Sequence, residues 1–128
     1  MKQYIGLGLG LIVGTVIGGA AVSGLHAQAK PPVYIVSEID VTNVDAYTKE
    51  YVPLARAAIK NSGGKLVGAS QKVTMLEGTP QNSRVTINVF DSLEKAQASR
   101  DVADYKAARA VGDKYAKFRA YVVEGMPQ

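Results

Sequence analysis

The feature that most constrains this chain is a strict period-two alternation from Val33 to Val41. Val33, Ile35, Ile39 and Val41 fall on one side, with Ser37 the single polar member; Tyr34, Val36, Glu38 and Asp40 fall on the other. A β-branched run with this period is a strand that presents different chemistry to its two sides. Arg84 to Phe90 repeats the pattern, with Val85, Ile87 and Val89 facing one way and Arg84, Thr86, Asn88 and Phe90 the other. Each strand therefore has one aliphatic and one mixed face.

The intervening segments read as helices and shorter strands. Thr42 with Asp45 three residues later resembles a capping box. The helix it predicts runs to about Asn61, with Tyr47, Tyr51, Leu54, Ala55, Ala58 and Ile59 as its buried stripe. Pro53 should kink that helix or begin a new segment, and Gly63-Gly64 should end it. Lys65 to Ala69 is a second strand, Val73 to Glu77 a short continuation or hairpin arm, and Gly78 to Ser83 a loop. Ser92 caps a helix from Leu93 to about Arg100. Asp104 caps another from Tyr105 to Val111, and Phe118 to Glu124 is the last strand, closed by Gly125.

The resulting β-α-β-β-α-β order predicts an α+β, ferredoxin-like domain: an antiparallel sheet with its helices on one face. The other sheet face must be hidden or stay polar. Assigning the mixed faces to it gathers Tyr34, Val36, Glu38, Arg84, Thr86, Asn88 and Phe90 there. That set is too apolar for bare solvent and too polar for a plain core. Two sheets packed face to face would enclose it in a semi-polar cavity, so the expected partner is a second copy of the chain, with an unidentified small molecule as the expected ligand.

Residues 1–29 carry one charged side chain, Lys2, ahead of a long apolar stretch that ends in Ala27-Gln28-Ala29. A positive start, an apolar middle and small residues before the cut are the parts of a secretory signal peptide. The competing reading is an uncleaved membrane anchor. Gly6, Gly10, Gly14 and Gly18 would then form a stripe for close helix approach. The expectation is a periplasmic or secreted protein, or one held at the inner membrane. Membrane is a partner only if the leader is retained. Lys30 to Pro32 is an extended linker, and 33–125 is the domain.

Composition excludes several chemistries. There is no cysteine, and the one histidine, His26, lies in the leader. The domain thus lacks the residues for histidine-dependent triads, cysteine nucleophiles, ordinary zinc sites and histidine-ligated haem. No phosphate-binding loop or dinucleotide fingerprint is present. The net charge of +4 is mild and reads as interspersed, so no nucleic acid partner is expected. No cofactor and no metal is expected.

Several stretches together resemble the domain-of-unknown-function family 1330. They are Val33-Tyr34-Ile35-Val36 entering Asp40-Val41-Thr42, Tyr47, Gly63-Gly64-Lys65 and Leu76-Glu77-Gly78. Phe90-Asp91-Ser92, the Tyr105 to Arg109 segment and Val122-Val123-Glu124-Gly125 complete the set. The resemblance covers nearly all of Val33 to Gly125. It implies a dimeric α/β barrel, the architecture of small cofactor-free monooxygenases, EthD-like proteins and stress-responsive barrel proteins, and it implies no established activity. The leader departs from the usual cytoplasmic form of the family. The segment from Leu93 to Asp104 lacks an aromatic expected before Tyr105.

The candidate site follows from the cavity. Glu38, at mid-strand, is the candidate general base, since burial can raise a carboxyl pKa. Asn88 would orient a carbonyl, and Tyr34 would line the same space. The alternative pairs Glu38 with Arg84 or Lys72. Tyr105 and Arg109, at i and i+4, would gate the cavity or hold an anion. Alternatively Tyr105 is packed and Arg109 bridges to Asp101 or Asp104. Tyr47 and Tyr51 read as core, and Asp40 as a turn contact. Three functions stay open: a small-molecule binding module, a cofactor-free enzyme (monooxygenase- or isomerase-like) acting on a small aromatic or carbonyl compound, and a membrane-tethered structural dimer.

Overall fold

The computed structural model describes residues 30–79 and 84–128; the leader, and the end of the loop after Gly78, lie outside them. The domain is α+β and ferredoxin-like. Strands β1 (Val33–Val41), β2 (Lys65–Ser70), β3 (Arg84–Phe90) and β4 (Ala116–Glu124) form one antiparallel sheet in the order β2-β3-β1-β4. The helices lie on one face of it. Helix α1 comprises a first turn, Val44–Ala46, a π turn, Tyr47–Tyr51, and a regular stretch, Val52–Asn61. Helices α2 (Leu93–Ala98) and α3 (Ala103–Gly112) complete the layer. Among the described residues no helix is long and apolar enough to cross a membrane.

Local chemistry explains the elements and corrects several expectations. Asn43, not Thr42, caps α1: its Oδ1 accepts from Ala46 N at 3.1 Å. Thr42 is drawn away because its hydroxyl donates to the Tyr115 carbonyl at 2.9 Å. Pro53 does begin a new segment. It sits in the first turn of Val52–Asn61, where a missing N–H costs little, and the π turn before it absorbs the change of winding. Leu54 is exposed, because it falls on the flank of the stripe defined by Tyr51, Ala55 and Ala58. At the end of α1, Gly63 takes φ +85° and Gly64 N donates to Ile59 O at 2.9 Å, the closure that a left-handed glycine permits.

The hairpin arm expected at Val73 to Glu77 is irregular backbone. Ser92 caps α2 through Lys95 N at 3.2 Å, as its position predicts. Helix α3 (Ala103–Gly112) starts two residues earlier than expected. Val102 is its N-cap, and Asp104 lies in the first turn, where its charge favours the helix dipole without capping it.

The core divides in two. Ile39, Tyr47, Tyr51, Ala55, Ala108 and Ala116 form one cluster; Val33, Ile35, Phe90 and Ala96 form the other. Along β1, Ser37 is the helix-side residue between Ile35 and Ile39. The interruption of the aliphatic face at Ser37 thus falls where the core parts.

Candidate functional site

Strand register decides which side chains meet. Directly opposed residues of an antiparallel pair point to the same side of the sheet. β1 and β3 pair Val33 with Phe90, Ile35 with Asn88, Ser37 with Thr86 and Ile39 with Arg84. The aliphatic face of β1 therefore shares the helix side with the mixed face of β3. On the open side, Tyr34 pairs with Val89, Val36 with Ile87 and Glu38 with Val85. This corrects the expected grouping: Glu38 and Asn88 are on opposite faces of the sheet. Alternation fixed the composition of each face but not its phase relative to the neighbouring strand.

A cavity of about 680 Å³ lies between sheet and helices, within one chain. Ser37, Thr86 and Asn88 contribute its floor, and Tyr51, Tyr105 and Phe118 its aromatic walls. Asn88 is only 4% exposed, and among the described residues its side-chain oxygen Oδ1 has no hydrogen-bond partner. A buried acceptor left unpaired is unfavourable, and a donor placed in the cavity would satisfy it.

Of the expected site residues, Arg84, Asn88, Tyr105 and Arg109 line this cavity. Tyr34 and Glu38 do not. Glu38 Oε2 lies 3.0 Å from Arg119 Nε across β1 and β4, an ion pair not aligned as a hydrogen bond. Its partner is thus neither Arg84 nor Lys72. Arg84 instead lies over the Tyr47 ring, 4.7 Å from its centre. Arg109 pairs with Asp113 at 3.0 Å, not with Asp101 or Asp104, and donates to the Tyr105 hydroxyl at 3.3 Å. It also sits 3.9 Å above the centre of the Phe118 ring.

Tyr47 and Tyr51 are core residues, and Tyr51 additionally walls the cavity. Burial pushes the Tyr51 phenol up to about 12, with the Tyr47 ring adding to the shift and Arg109 and Arg100 opposing it. Burial likewise raises Tyr47 against the opposing charge of Arg84. Both phenols are therefore protonated at neutral pH. Gly112 makes the close packing possible, since a Cβ there would lie 2.7 Å from the Tyr51 ring. Among the described residues, no three Asp, Glu or His side chains gather as metal ligands would.

Arg100, Arg56, Lys60 and Lys65, none of them expected at a site, also line the cavity. A signal for the last three was available. From Tyr51 to Leu76 the chain holds Arg56, Lys60, Lys65 and Lys72 and no acid. The charges are less evenly mixed than the net value suggests. Arg100 had no such signal; it is positioned by the turn between α2 and α3.

Residues 32–126 match the model of a family described as a domain of unknown function, DUF1330. The chain belongs to this family. No curated protein matches it. Among solved structures, a protein of unknown function from Rhodopseudomonas palustris is 16% identical with a TM-score of 0.64, over 84% of this chain and 93% of that one. An EthD-family protein from Bacillus halodurans is 16% identical with a TM-score of 0.59, over 74% and 99%. SnoaB, a cofactor-independent oxygenase from Streptomyces nogalater, is 13% identical with a TM-score of 0.57, over 77% and 96%. At these identities the DUF1330 chain shares their fold.

Proposed function

We propose that this DUF1330 protein is an exported homodimeric small-molecule binding module whose ligand occupies the cavity between helices and sheet. The observation that carries this reading is the unpaired Oδ1 of buried Asn88 on the floor of a cavity of about 680 Å³. That volume suits a small organic molecule, and aromatic walls with a few polar groups are the usual composition of such sites. The dimer reading rests on the open sheet face, where Val85, Ile87 and Val89 stand beside Tyr34, Val36, Tyr121 and Val123. Tyr121 and Val123 are 42% and 46% exposed in the single chain, and a contiguous apolar face of this kind favours burial against a second copy. Export rests on Lys2, the apolar stretch and Ala27-Gln28-Ala29.

Titration calorimetry with 2-naphthol, a neutral aromatic alcohol whose hydroxyl can donate to Asn88 Oδ1, tests the binding site. Binding should be saturable and should be lost in Ala120→Phe, which places a ring in the cavity. Equal affinity in that variant would place the ligand elsewhere. Light scattering should give a dimer that Ile87→Glu converts to monomer; a wild-type monomer would remove the paired-sheet reading. N-terminal sequencing of the exported protein should begin at Lys30. An intact Met1 in the membrane fraction would favour the tethered form.

The cofactor-free enzyme remains the second reading, favoured by the structural likeness to SnoaB, itself a cofactor-independent oxygenase. It needs a different base from the one expected, because Glu38 is outside the cavity and engaged by Arg119.

A further inference from the structure

We infer that the cavity selects aromatic molecules bearing a negative charge, a carboxylate or phenolate, together with a hydroxyl that donates to Asn88. This rests on the binding reading above and names the ligand class of the same site. Its first support is charge. The lining includes Arg56, Lys60, Lys65, Arg84, Arg100 and Arg109 and no Asp or Glu. The chain has 15 Lys and Arg against 11 Asp and Glu, so a lining with even a proportionate mixture would contain acids. A cleft lined by one sign of charge with low-dielectric walls concentrates the opposite sign.

The second support is how those cations are partnered. Arg109 is already balanced by Asp113. Arg100 is not: it is half-buried, its guanidinium lies 4.6 Å over the Tyr105 ring, and no carboxylate contact accompanies it among the described residues. Desolvation works against its charged form; Tyr51 opposes that shift and the positive charge of Arg109 adds to it. A guanidinium does not deprotonate under ordinary conditions, so that unfavourable environment is relieved by an incoming anion. A planar carboxylate matches the donor fork of arginine.

The third support is the neutral polar group of the site. Asn88 Oδ1 needs a donor, which a carboxylate cannot supply and a ligand hydroxyl can. Tyr51 and Phe118 beside them present ring faces and edges to a flat molecule. Asn88 and Arg100 thus ask for different groups on one ring system.

The test compares a hydroxynaphthoate, with its hydroxyl and carboxylate on separate rings, with its neutral methyl ester on the full chain. The acid should bind at least about tenfold more tightly than the ester. Arg100→Met should lower the acid's affinity by at least about tenfold and leave the ester unchanged, while Lys106→Gln, on the outer face of α3, should change neither. If Arg100→Met does not fold, added salt on the wild type gives the same reading: it should weaken the acid and spare the ester. Equal affinities for acid and ester would overturn the charge preference while leaving a binding cavity intact. Failure of both these probes and 2-naphthol to bind would overturn the binding reading itself.

Discussion

The two faces of the sheet are built from the same two alternating strands, yet they present opposite problems. On the helix side, aliphatic β1 meets mixed β3, and the result is a cavity with an unpaired amide and an excess of cations. On the open side, mixed β1 meets aliphatic β3. Its one central carboxylate, Glu38, is paired with Arg119 and surrounded by valine, isoleucine and tyrosine. The first surface has unmet polar demand and suits a small ligand. The second has unmet apolar demand and suits a second copy of the chain. The difference teaches that face composition is not additive along one strand; it is set by how neighbouring strands are phased.

The largest expected effect separates the faces within β3. Phe90 is 2% exposed on the helix side, so Phe90→Ala should cost about 3–5 kcal/mol in urea unfolding and leave the dimerisation constant unchanged. Val89→Ala, one residue away on the open side, should act chiefly on dimerisation. If both variants changed only the unfolding midpoint, the division of labour would fail.

Next comes a pH effect confined to the helix side. The Tyr51 phenol is raised from 10.0 to about 12. A raised folded-state pKa means that the protonated form is favoured by folding. The stabilisation is present below pH 10 and is lost as pH rises through the folded value of about 12. Stability should fall by about 2–3 kcal/mol over that window, and Tyr51→Phe should flatten the fall. A profile unchanged by Tyr51→Phe would show that burial of this phenol is not its cause.

A smaller effect has the opposite sign for folding and for binding. Asn88→Leu removes a buried acceptor that nothing satisfies. It should stabilise the unliganded protein by up to about 1 kcal/mol while weakening hydroxynaphthoate binding. Loss of stability in this variant would mean that the amide has structural partners. The smallest effect belongs to Glu38. Arg119 is 65% exposed, so a double-mutant cycle on Glu38→Gln and Arg119→Gln should return about 0.5 kcal/mol, with no change in binding of either aromatic probe. A large loss of binding on Glu38→Gln would return that carboxylate to the site.

Much of the fold was legible because its signals are local. Period-two runs gave β1 and β3, Ser92 gave the start of α2, and Gly63-Gly64 gave the end of α1. What failed depended on tertiary partners. Thr42 was a plausible cap until the Tyr115 carbonyl claimed its hydroxyl. The site was half legible for the same reason. Asn88, Arg84, Tyr105 and Arg109 were identifiable as polar or aromatic residues on structured elements, but their company was not. Separating Glu38 from Asn88 required a register between strands more than forty residues apart, which no local signal carries.

Ligand and partner are here proposed to use opposite faces of one sheet. Isotope-filtered nuclear Overhauser measurements on the labelled full chain with bound 2-naphthol test that division. Contacts are expected from ligand protons to the Asn88 side-chain amide and the Phe118 ring, and none to Tyr34 or Tyr121. Contacts to Tyr34 and Tyr121 would contradict it, placing the ligand on the open face.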